Sequence, residues 1–103
     1  MEAGIEVIFT RYALPKEIVY TAMEEDVDVI GISFSVGRPV GVTSEVMQLL
    51  KENNLSNILV LLGGIIPDDD VPRLLEMGVG KTFGPGSSAE DIIKYITSKV
   101  GNT

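Results

Sequence analysis

Short apolar runs separated by stretches of helical periodicity organise this chain. Ile5 to Thr10, Val27 to Ser33, Ile58 to Leu62 and Lys81 to Phe83 read as strands. The second and third are near-continuous Val, Ile and Leu, the pattern of strands buried on both faces of a parallel sheet. Between the first two, Pro15 suits the opening turn of a helix, and Ile18, Val19, Ala22 and Met23 form one apolar face out to Asp26. Val42, Val46, Leu49 and Leu50 recur at helical spacing until Asn53-Asn54, with Thr43 or Ser44 as the cap near the start. Pro72 then opens a third helix that Gly78 can end in the left-handed conformation. Ser87 or Ser88 caps the last helix, with Glu90 or Asp91 three residues on, and Ile92, Ile93, Ile96 and Val100 supply its buried stripe. Strict alternation of strand and helix predicts an α/β fold: a parallel sheet of about four strands with right-handed crossovers and flanking helices.

The ends of two strands carry the candidate chemistry. Val27 to Ile32 runs into Ser33-Phe34-Ser35, and Ile58 to Leu62 runs into Gly63-Gly64. Ligands of open parallel sheets bind beyond the carboxyl ends of the strands, where these small residues leave room. Each has a plainer reading as well. A Gly-Gly pair can be a tight turn, and the two serines can satisfy backbone groups at the strand end. The Gly84-Pro85-Gly86 turn before Ser87 could hold a phosphate or only cap a helix. Asp68, Asp69 and Asp70 match the positive end of a helix dipole, and no metal is expected there.

Composition narrows the function. The 103 residues suit a single domain, and 15 acidic against 8 basic side chains give a net charge of −7, which argues against nucleic acid and anionic membranes as partners. The absence of cysteine suits a reducing cytoplasm, and no apolar stretch approaches the roughly 20 residues of a membrane helix. With neither Cys nor His there is no nucleophile–base pair, so the chain is not expected to be an enzyme by itself. A response-regulator receiver is also a poor match, because the strand ending at Ser33 lacks the phospho-accepting aspartate.

The segments Glu24-Glu25-Asp26-Val27-Asp28-Val29-Ile30-Gly31, Gly63-Gly64-Ile65-Ile66-Pro67 and Phe83-Gly84-Pro85-Gly86-Ser87 resemble the cobalamin-binding domain of methylmalonyl-CoA mutases, found at their C-terminus or in their small subunit. The resemblance covers nearly the whole chain and implies a flavodoxin-like (Rossmann-like) sheet. It implies three signatures. The Asp-x-His-x-x-Gly loop, whose histidine ligates cobalt, has no counterpart, since only three residues precede Gly4, where the family has a full strand and helix. The domain is thus expected to be truncated at its N-terminus, lacking the first strand–helix unit. Of the Ser-x-Leu signature, Ser33 matches but Ser35 replaces leucine; the glycine pair is matched by Gly63 and Gly64.

On that resemblance the cofactor-binding set is Ser33, Ser35, Gly63, Gly64, Gly84, Gly86 and Ser87. The expected function is that of a degenerate cobalamin-binding-like domain without histidine-on ligation. One alternative is a corrinoid-binding subunit using the remaining Ser and Gly loops, with a mutase large subunit as its partner. A further one comes from Leu61-Leu62-Gly63-Gly64-Ile65 and Phe83 to Ser87, which also resemble the phosphate-binding half of some TIM barrels. Loss of the first unit should leave a gap in the sheet and bare apolar surface. Either the strand at Ile5 to Thr10 moves over to close the gap or another chain fills it, and a homodimer should cover the exposed face.

Overall fold

The computed structural model describes residues 7–10, 14–34, 39–84 and 88–101. Strands β1 (Val7–Thr10), β2 (Val29–Phe34), β3 (Leu59–Gly64) and β4 (Lys81–Phe83) alternate with helices α1 (Pro15–Glu25), α2 (Pro39–Glu52), α3 (Val71–Glu76) and α4 (Ala89–Ile96). A 3-10 turn, Asp68–Asp70, leads into α3, and a π-helical turn, Thr97–Gly101, extends α4. The strands lie in the order β1-β2-β3-β4, each neighbouring pair parallel. This is the flanked parallel α/β sheet that the alternation predicts.

Side-chain parity along the strands divides the core into two layers. Ile30, Ile32 and Phe34 of β2 and Val60 and Leu62 of β3 face α1, α2 and α3, packing with Ile18, Val19, Ala22, Val46, Leu50 and Leu74. Successive neighbours joined by crossovers of one hand place every crossover helix on the same face, so three helices share this layer. The opposite face shows Val29, Leu61 and Phe83, and α4 covers it with Ile96, Ile92 and Tyr95. That placement argues against the half-barrel reading, in which each strand's helix stays on one outer side. α4 closes this second layer because Val29, Leu61 and Phe83 must otherwise meet water.

β1 pairs directly with β2, Val7 opposite Val29 and Thr10 opposite Ile32. Of the two expected ways to close the sheet, the strand itself lies beside β2. Val29 is fully buried on the second face, so the apolar surface there is covered at β2. Ile5 lies outside the described residues.

Three local expectations are corrected. α2 begins at Pro39, a turn earlier than its apolar repeat suggests, because proline's fixed φ suits a first turn. Thr43 and Ser44 therefore lie inside the helix rather than at its cap; Thr43 is fully buried, and its hydroxyl has no partner among the described residues. Met23 is 43% and Ile93 49% exposed, at the margins of their helices' buried stripes. The side chain of Val100 lies outside the described residues. Elsewhere the punctuation reads as expected: Pro15 opens α1, Gly78 turns with φ 105° after α3, and Ser88 caps α4, its Oγ accepting the Asp91 N–H at 3.1 Å.

Candidate functional site

At the carboxyl ends of β2, β3 and β4 a slot of about 280 Å³ opens between the second face of the sheet and α4. Period-two alternation creates it. Val29, Gly31 and Ser33 stand on one side of β2, and Leu59, Leu61 and Gly63 on the same side of β3, in register. Large residues at the amino ends of these rows give way to small ones at the carboxyl ends. The floor therefore drops where Gly31, Ser33 and Gly63 meet, while Phe83 forms one wall and Ile92 of α4 hangs over the opening. The lining is mostly apolar, and among the described residues Ser33, which is exposed, carries its only side-chain hydroxyl.

The structure brings four of the expected site residues together: Ser33, Gly63, Gly64 and Gly84 all line the slot. Ser35, Gly86 and Ser87 lie outside the described residues. The sequence reading missed Gly31, Ile32, Leu61, Leu62, Phe83 and Ile92. For Gly31 and Leu61 a signal was present, since each stands two residues before an expected site residue and so shares its face. Ile92 was assigned wholly to the core; it is half-buried, and its place over the slot depends on how α4 lies across the sheet.

The two glycines of the pair serve different ends. Gly64 has φ +89°, and a Cβ there would collide with the carbonyl oxygen of Phe34. The chain is pinned at this point because the Ile65 N–H donates to that same carbonyl at 2.7 Å, drawing β3's exit against β2. Gly64 is glycine for the fold. Gly63 has an ordinary backbone conformation, and a Cβ there would meet only the Phe83 carbonyl oxygen at 3.7 Å, ordinary contact. Among the described residues, nothing in the packing excludes a Cβ at 63. The space beside it belongs to the slot.

The aspartates of the 3-10 turn are exposed at 68 and 69 and half-exposed at 70. Among the described residues no group of three or more acidic side chains is close enough to hold a metal ion. No helix there is long and apolar enough to cross a membrane.

The family described as B12 binding domain matches residues 1–94. The chain is 34% identical over 100 residues to the 2-hydroxyisobutanoyl-CoA mutase small subunit of Aquincola tertiaricarbonis, covering 96% of this chain and 74% of that protein. It is 38% identical over 98 residues to the pivalyl-CoA mutase small subunit of Xanthobacter autotrophicus, covering 94% of this chain and 66% of that one. It is also 33% identical over 96 residues to the methylmalonyl-CoA mutase of Cereibacter sphaeroides, of which it spans 14%.

Proposed function

This chain belongs to the B12-binding domain family, and from that premise we propose that it holds the nucleotide tail of cobalamin in the slot beneath α4, with no histidine of these 103 residues on cobalt. One observation carries the reading. Among the described residues a Cβ at Gly63 would find only ordinary contact, so the missing side chain there supports passage of a ligand beside it. Gly31 and Gly63 form a flat floor, Phe83 and Ile92 give apolar walls, and the Ser33 hydroxyl offers a hydrogen bond at the rim. A flat heteroaromatic group carrying a polar sugar matches that distribution of apolar and polar surface.

Bound cobalamin would supply radical chemistry. The residues described here supply none of it; they bind, orient and exclude water, which is the role of a subunit rather than of a catalyst. By analogy with the small subunits it matches, the chain works beside a mutase large subunit. We also propose that two copies associate through the flank of α4 that bears the exposed Ile93.

Titration with hydroxocobalamin tests the reading. A saturable change in the visible spectrum, lost in Gly63→Leu with the far-UV circular dichroism unchanged, is the expected result. No spectral change at high micromolar protein overturns it and returns the degenerate domain as the better description.

A further inference from the structure

A second groove, of about 450 Å³, lies outside the slot, along the edge of β4 and the flank of α4 that bears Tyr95. Lys81 and Thr82 of β4 line it with Asp91, Lys94, Tyr95 and Ser98 from the helix side. Tyr95 is its centre. The phenol O–H donates to the Gly80 carbonyl at 2.8 Å, and the ring meets Phe83 edge-on at 6.1 Å. Lys81 Nζ stands 5.1 Å from the Tyr95 centroid and 5.4 Å from that of Phe83, and Lys99 Nζ stands 5.8 Å from Tyr95. Two ammonium groups are thus gathered on an aromatic platform, where the ring faces attract them.

Their lack of carboxylate partners is the informative point. The chain carries nearly twice as many acidic as basic residues, 15 against 8. Yet among the described residues neither Lys81 nor Lys99 has a carboxylate within ion-pair distance; Lys94 reaches Glu90 at 3.7 Å. A cationic cluster that stays unneutralised in a strongly acidic chain leaves its charge for something else. It also sits beside a strand edge, since β4 ends the sheet as described and its outer backbone groups have no neighbouring strand there.

We propose that this groove docks an extended acidic segment of another protein, which pairs with the free edge of β4 and sets its carboxylates against Lys81 and Lys99. A free strand edge selects a backbone, and the lysines select its charge. The groove also has a direction. α4 runs back along β4, so the lysine-and-tyrosine end lies near Gly80, and Asp91 lies toward Phe83. The segment's carboxylates therefore gather at the amino end of β4. Among the described residues the acidic stretches Glu24-Glu25 and Asp68–Asp70 are helical and offer a second copy no extended strand to place there.

The probe is a synthetic peptide of alternating glutamate and valine, with a lysine–valine peptide as control, followed by fluorescence anisotropy and by amide chemical shifts. The expected result is saturable binding of the acidic peptide alone, with shifts concentrated at Lys81 to Phe83 and around Tyr95. Binding should weaken about tenfold in Lys81→Glu, Lys99→Glu double variants and fall steeply with added salt, as contacts between opposite charges do. The alternative role for Lys81 is to keep the edge from pairing at all. If the acidic peptide causes no shifts, or binds the charge-reversed variant equally well, the proposal is overturned. Self-association of Lys81→Thr with no effect on peptide binding overturns it too.

Discussion

Alanine at each of the two adjacent glycines separates fold from ligand. Gly64→Ala forces a side chain into the left-handed region and against Phe34, and is expected to cost about 2 kcal/mol or more by chemical denaturation. Gly63→Ala adds a methyl where only ordinary contact awaits it, and stability should stay within about 1 kcal/mol of the parent. The same methyl projects toward the slot, so corrinoid affinity should fall even though the melting transition scarcely moves. Equal destabilisation by both substitutions would mean that the pair is merely a turn. The glycine pair was legible in the sequence as a unit; its division of labour was not. Which glycine faces the slot depends on strand parity, and which has a positive φ depends on how closely β3 leaves against β2.

At the scale of elements, α4 rests on two local devices. The Ser88 cap satisfies one orphan N–H at its start, and the Tyr95–Gly80 hydrogen bond ties its far end to the entrance of β4. Tyr95→Phe keeps the ring against Phe83 and removes only the hydroxyl, so a loss of about 1 kcal/mol is expected in urea unfolding. A larger loss would show that the ring packing had been disturbed as well. The cap and the strand at Lys81 to Phe83 were readable from turn residues and neighbours in the chain. The hydrogen bond spans 15 residues and joins a side chain to a backbone carbonyl, which no local pattern encodes. The late start assigned to α2 has a similar origin: its apolar repeat marks the packed face, whereas the helix begins where Pro39 allows.

For the whole molecule, strict alternation fixed the class and the parallel sheet, because buried strands and amphipathic helices leave different periodicities. The sheet's order was less accessible. Periodicity is blind to which strand sits beside which, so the pairing of β1 with β2 could be read only from the structure. Association through the Ile93 flank of α4 belongs to this scale. Light scattering across micromolar dilution should give twice the monomer mass, reverting toward one copy in Ile93→Glu. A single-copy mass at every concentration would discard the dimer.

The two layers of the core are unequal. Among the described residues fourteen buried side chains make up the layer beneath α1, α2 and α3, and four make up the layer beneath α4. The layer under α4 is therefore the thinner of the two, and the slot lies directly within it. A guest seated against Gly63 and Ile92 would supply apolar contact that the thinner layer lacks, becoming in effect a piece of its core. Occupancy would then be registered as rigidity of α4, a signal available to any neighbour that touches it.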